Sequence, residues 1–240
     1  MKLRLSNPKQ LLKIGEWVLI FGIIVFSLAA KLNGLGKVSF DFDEIYSVKF
    51  SLWNNYWSFM TASAYDPGNP PFYFIILKFW QSLLGTSEAK LRFLSVFFNF
   101  LAITIFSLQA KKHLKPAAAI TAVFLFAGSG LLFFYSRYVR TYSLIVFLTL
   151  SVFPLLLNLL AKPKISILQT VTLYLLCLLG FYSHYSFVIF YACLFLTLVF
   201  IFRREKAQIE RLIIFTVFIA LGFLPWAVLF LFNQVAPPVS

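Results

Sequence analysis

Long apolar runs separated by short polar connections fill this chain, and their lengths predict its elements. Crossing a bilayer takes about 20 mostly apolar residues, and a segment in lipid must satisfy its own backbone hydrogen bonds, so each such run reads as a helix. Seven runs meet that pattern, at residues 17–32, 93–110, 116–134, 142–161, 165–183, 187–202 and 212–232. A further apolar run, 71–84, is short, follows Pro70, contains Lys78 and Trp80, and ends before Gly85. Inserting it would move every later basic cluster to the opposite side, so it is read as an interfacial or re-entrant helix. The expected fold is an all-α, polytopic transmembrane helical bundle of about seven spans. Residues 1–240 form a single module, with interfacial helices in a first outer loop at about 33–92.

Composition supports lipid as the solvent. The chain is 61% hydrophobic and 12% charged, with 31 phenylalanines, where soluble domains carry about 45–50% apolar and about 25% charged residues. This excludes a disordered chain, a disulfide scaffold and a cytosolic enzyme. The two cysteines, Cys177 and Cys193, lie in apolar sequence and read as buried free thiols. The net charge of +13 resides in short clusters between the apolar runs rather than on one polar face, which argues against nucleic acid. Lys2, Arg4, Lys9 and Lys13 precede the first run, Lys111, Lys112 and Lys115 follow the second, Lys162 and Lys164 the fourth, and Arg203, Arg204, Lys206 and Arg211 the sixth. All fall on the cytoplasmic side if the N-terminus is cytoplasmic, as positive charge resists translocation. A bacterial inner (plasma) membrane is the expected location. The first run has the basic lead and small residues (Ser27, Ala29, Ala30) of a signal peptide, but a chain with six further spans is expected to keep it as an anchor.

Chemistry gathers on the other side. Of the eight acidic residues, Asp41, Asp43, Glu44, Asp66 and Glu88 occupy the first outer loop, although insertion does not require carboxylates there. In Phe40-Asp41-Phe42-Asp43-Glu44, Asp41 and Glu44 have capping-box spacing, while Asp43 is a candidate general base at the membrane surface. Asp66 in Tyr65-Asp66-Pro67-Gly68-Asn69-Pro70-Pro71-Phe72-Tyr73 either closes an Asx turn or faces substrate. Glu88 and Arg92 have the i, i+4 spacing of a helical ion pair. Arg137 and Arg140 lie in an outer turn against the positive-inside bias, so each faces something anionic, either lipid phosphate by snorkelling or a dedicated phosphate site. His184-Tyr185 lies in the next outer turn, where a lone His between two apolar helices is more often a packed or interfacial residue than a ligand, but it shares a membrane face with Asp43 and Arg140.

Together, Asp43-Glu44, Asp66 with Pro70-Pro71-Phe72-Tyr73, Leu91-Arg92-Phe93-Leu94-Ser95, Arg137-Tyr138-Val139-Arg140-Thr141-Tyr142-Ser143 and His184-Tyr185, in that order and on one side, resemble the GT-C glycosyltransferases. The resemblance is to the branch of protein O-mannosyltransferase-like, lipid A aminoarabinose transferase-like and rhizobial lipopolysaccharide core transferase-like membrane proteins, and it covers nearly the whole chain. It implies inverting transfer of a sugar from a polyprenyl-phosphate carrier to a hydroxyl of a lipid, glycan or protein acceptor at the outer face. By that resemblance Asp43 is the base and Glu44 positions it. Arg140, with Arg137 or Arg92, binds the departing phosphate. Asp66, Pro70, Pro71 and Tyr73 wall the site, and His184 and Tyr185 contact donor or acceptor. No cofactor and no metal are expected. Members of that branch usually continue further, which implies later parts of the site beyond residue 240 or in a further subunit.

Two other classes stay open. A transporter or flippase-like protein would carry ionisable groups near mid-membrane, whereas these spans are nearly free of charge. A catalytically silent partner subunit would show the same spans.

Overall fold

The computed structural model describes residues 8–53, 55, 69–161 and 166–235. Every regular element among them is a helix: α1 (Pro8–Leu32), α2 (Phe42–Ser51), α3 (Phe72–Leu84), α4 (Glu88–His113), α5 (Pro116–Ala127), α6 (Gly130–Ser136), α7 (Tyr142–Ala161), α8 (Ile167–Phe181), α9 (Ser186–Ile201) and α10 (Lys206–Val235). Four of these, α1, α4, α7 and α10, are long and apolar enough to cross a membrane, and α5 with α6 makes a fifth if the bent pair counts as one span. Several long apolar helices of this kind fit a multi-pass membrane protein. The runs at 165–183 and 187–202 appear as the shorter apolar helices α8 and α9, of 15 and 16 residues, or about 22–24 Å at the usual rise per residue.

The run 116–134 is not one rod. Gly128 and Ser129 interrupt it, and α5 and α6 meet at 49°. Ser129 restarts the chain as N-cap of α6, its side chain accepting from the Leu132 amide. The Ala127 carbonyl beside the break accepts instead from α1, from Ser27 Oγ at 3.1 Å and Lys31 Nζ at 3.3 Å. An ammonium suits that end of a helix, where carbonyls and the negative pole of the dipole gather.

The main core runs through α3, α4, α7, α8, α9 and α10, with Leu77, Leu91, Val152, Leu156, Cys177 and Phe187 fully buried. A smaller cluster of Ile20, Ala110, Ala119 and Val123 joins α1, α4 and α5. Cys177 is buried as expected, whereas Cys193 is exposed, because it lies on the outward apolar side of α9 with Ile189 and Leu196. The helix predicted over 71–84 forms as α3 and turns Tyr73, Phe74, Leu77 and Gln81 inward. Gly85, at φ +91°, lets the chain leave α3 in a conformation that side-chain-bearing residues avoid.

Candidate active site at one end of the bundle

The site is built on a buried ion pair. Asp41 caps α2 and forms the full capping box with Glu44, whose Oε2 accepts from the Asp41 amide at 3.0 Å. Glu44 is only 1% exposed, and a buried carboxylate demands a cation and further donors. Arg92, near the start of α4, supplies them in a two-pronged pair: Nε to Oε1 at 2.9 Å and Nη2 to Oε2 at 2.6 Å. The other Arg92 donors reach the carbonyls of Leu35, Val38 and Ser39 at 2.7–3.1 Å. All five guanidinium N–H groups are thereby used. Glu44 Oε1 also accepts from the Val139 amide at 2.9 Å.

This corrects two expectations. Arg92 pairs with Glu44 and not with Glu88 four residues before it, because a buried guanidinium needs several fixed acceptors. With every donor spent on the protein, Arg92 has none left for a lipid phosphate. Glu44 is likewise a structural tie: it fastens α2 to α4 and to the turn after α6.

An open cavity of about 890 Å³ lies beside this tie, lined among others by Asp41, Glu44, Arg92, Phe134, Arg137 and Tyr138. Tyr138 donates its hydroxyl proton to Asp41 Oδ2 at 2.7 Å, and Oδ1 accepts from the Phe42 amide at 2.7 Å. The Tyr138 hydrogen bond, then the Phe42 amide, holds the Asp41 carboxyl below its usual range. Burial, reinforced by Asp41 and by the charges of Asp43 and Glu44, pushes the Tyr138 hydroxyl above the usual phenol range. Arg137 donates to the Gly34 carbonyl at 2.9 Å, and its guanidinium lies 5.4 Å from the Phe133 ring centre. Gly34 turns the chain at the end of α1 with φ +66°.

Asp43 sits in the first turn of α2 with its side chain exposed. It does not line the cavity, and among the described residues its carboxylate has no hydrogen-bond or ion-pair partner. Arg140 is half-buried, and its Nε is buried without a hydrogen-bond partner. The Tyr73 hydroxyl, on a residue 2% exposed, is also unpartnered. Ser95 lies beside it, but the Ser95 hydroxyl donates to the Tyr138 carbonyl at 2.7 Å and makes no hydrogen bond of acceptable geometry with Tyr73. Burial raises the Tyr73 hydroxyl, while the neighbouring Ser95 and, after it, the charge of Arg140 act in the opposite direction. A buried donor left without a partner costs about 1–3 kcal/mol, which makes each of these two unlike ordinary core groups.

Comparison of the chain with protein-family models and with curated proteins finds no match.

The remaining expected residues divide. Pro70 and Pro71 are buried and open α3, where the Phe72 amide donates to the Tyr182 carbonyl at 2.9 Å. Asp66 lies outside the described residues. His184 Nδ1 accepts from the Ser186 amide at 3.0 Å, holding the start of α9, and its ring stands 6.0 Å from that of Tyr142. The Tyr185 hydroxyl accepts from Trp226 Nε1 at 3.4 Å. Thr141 Oγ1 donates to the Ser183 carbonyl at 3.4 Å, so the turns after α6 and α8 touch. The described ones among them therefore share one end of the bundle, but Arg140, His184 and Tyr185 are not in the cavity wall. Among the described residues no three His, Cys, Asp or Glu side chains converge as metal ligands would. Sequence reading assigned Asp41 only a cap and Tyr138 no role. The visible signal was a phenol in the same turn as two arginines, but its pairing across 97 residues leaves no trace in local spacing.

Proposed function

We propose that the chain is a membrane glycosyltransferase of GT-C type, which moves a sugar from a polyprenyl-phosphate carrier to an acceptor hydroxyl at the outer membrane face with inversion. The acceptor oxygen attacks the anomeric carbon and its proton passes to Asp43. The bond from that carbon to the phosphate oxygen breaks, and the carrier phosphate leaves with the electron pair. A fixed guanidinium stabilises the charge that develops on the leaving oxygen, and Arg140 is assigned that task. In this reading α8 and α9 also cross, giving seven spans with a cytoplasmic N-terminus, and an outer end formed by the turns around Asp43, Arg140 and His184.

One observation carries the reading. The Glu44–Val139 hydrogen bond joins the residue after Asp43 to the residue before Arg140, which supports a site that draws on a carboxylate without a partner among the described residues and on a guanidinium with an unused buried donor. Base and leaving-group binder must lie on opposite sides of one sugar carbon, a few ångströms apart. The transport reading has less support: Lys31, buried in α1, is spent on Ser27 and Ala127, and the void beside it is too small to admit water.

The test is release of polyprenyl phosphate from polyprenyl-phospho-sugars by the purified full chain. Asp43→Asn should lower it by about 10²–10⁴-fold, the usual worth of a general base, with an unchanged melting profile. Release that does not depend on Asp43 sinks the assignment.

A further inference from the structure

The cavity at the outer end holds a carboxylate, a phenol and a guanidinium around an aromatic wall, and none of these groups is consumed by the transfer step above. Charge decides what it can accept. Glu44 and Arg92 cancel each other in their buried pair. Asp41 and Arg137 then remain, one of each sign, so the wall is neutral as a whole and presents no excess of positive charge to attract a phosphate.

The spare hydrogen-bonding capacity is of both kinds. Each Asp41 oxygen accepts one bond, from Phe42 and from Tyr138, and an ionised carboxylate has about four acceptor sites. Two acceptors therefore stay open on an exposed side chain. Arg137 has one donor engaged, on Gly34, out of five. Phe134 and Tyr138 stack at 5.5 Å with planes 28° apart. Paired acceptors, adjacent donors and aromatic faces suit a ring that carries vicinal hydroxyls on its edge and C–H groups on its faces.

We propose that the Asp41–Tyr138–Arg137 wall is the binding subsite for an uncharged hexopyranose ring. Asp41 receives two ring hydroxyls, Arg137 donates to a third oxygen, and the Phe134–Tyr138 pair packs against the ring. The Tyr138 hydrogen bond fixes the Asp41 rotamer, so Tyr138 both orients the acceptor and forms part of the wall. This inference rests on the sugar-transfer reading and adds to it the place and chemistry of sugar recognition.

The experiment is saturation-transfer NMR on the full chain in lipid nanodiscs. The probes are methyl glycosides of glucose, mannose, galactose and N-acetylglucosamine, with methyl phosphate as the anionic arm. Ring protons of at least one glycoside should be saturated by the wild type. Asp41→Asn, which keeps a good helix cap, and Tyr138→Phe should each weaken that glycoside by about tenfold or more, the worth of a hydrogen bond to a charged group. Steady-state release of polyprenyl phosphate, run in parallel, should show a raised KM with kcat nearly unchanged in both variants. Absence of saturation by any glycoside, wild-type saturation in both variants, or tighter binding of methyl phosphate at the same residues would each overturn the subsite. Glycoside binding that needs Asp41 in a chain that never releases carrier phosphate would instead count against the transfer reading and leave recognition standing.

Discussion

At the scale of single residues, Arg92 and Glu44 illustrate what burial demands of charge. Removing one partner from such a pair leaves the other charged, desolvated and unpaired, at a cost of about 3–5 kcal/mol. Glu44→Gln is therefore expected to lower the unfolding midpoint sharply in detergent-denaturation experiments. Arg92→Lys should not restore it, since an ammonium cannot span both carboxylate oxygens and three carbonyls. A midpoint within experimental error of wild type in Glu44→Gln would contradict the tie. Asp41 carries the pH dependence. Its carboxyl is held below its ordinary value of 3.8, first by Tyr138 and then by the Phe42 amide. A group depressed in the folded state contributes fully above its unfolded value, and the contribution is lost as pH falls through the folded one. Tyr138 is shifted upward, so it stays protonated through the ordinary tyrosine range. Glycoside affinity should thus stay flat from about pH 5 to about pH 9 and fall only in strong acid; a midpoint near neutrality would implicate another group. The capping box was legible because its two partners are three residues apart. The Arg92 pair was not, because i, i+4 spacing favours Glu88 by proximity, whereas the fold brings in Glu44 across 48 residues.

At the scale of elements, the bend between α5 and α6 shapes the cavity, because α6 and the turn after it supply Gly130, Phe133, Phe134, Arg137 and Tyr138 to its wall. Lys31 and Ser27 hold the Ala127 carbonyl on the α5 side of the break, and Lys31 is itself 1% exposed. Lys31→Met leaves that carbonyl with one donor fewer, a loss of about 1–3 kcal/mol. Spin labels at the exposed positions Ala117 and Leu131, in a chain whose cysteines are replaced, should report a broader distance distribution in Lys31→Met than in the parent. An unchanged distribution would show that the bend does not need the ammonium. Hydropathy alone read 116–134 as one straight span. The Gly128-Ser129-Gly130 sequence is the local signal for the break, but glycine and serine are also tolerated inside membrane helices. The donors from α1 to the Ala127 carbonyl and the Ser129 cap of α6 mark the break in the fold. Packing within α8 and α9 is tighter than hydropathy suggests: a Cβ on Gly180 would stand 2.5 Å from the Phe187 ring. Gly180→Ala is expected to destabilise by about 1–3 kcal/mol, the usual cost of overpacking.

At the scale of the whole molecule, apolar run lengths were enough to predict an all-helical chain with several helices that fit a multi-pass membrane protein, because lipid leaves the backbone few alternatives. They were not enough to give the lengths of all seven helices, since α8 and α9 are shorter than the other candidate spans and α5 bends into α6. The common end of the candidate residues followed from the alternation of basic clusters. The structure brings those segments together through Glu44 to Val139, Ser95 to Tyr138 and Thr141 to Ser183. Which of them line a cavity depends on side-chain packing across distant helices: Asp41 and Tyr138 line the one beside the Glu44–Arg92 pair, and Asp43 and Arg140 do not. The proposed chemistry separates proton removal from leaving-group stabilisation, and kinetics distinguishes the two. The decisive measurement is steady-state release of polyprenyl phosphate by wild type, Asp43→Asn and Arg140→Met, across a panel of polyprenyl-phospho-sugars. The account predicts that Asp43→Asn lowers kcat with KM for the carrier nearly unchanged, and that Arg140→Met lowers kcat while raising that KM. Wild-type turnover in both variants, or no release of carrier phosphate by the wild type from any donor in the panel, would contradict it.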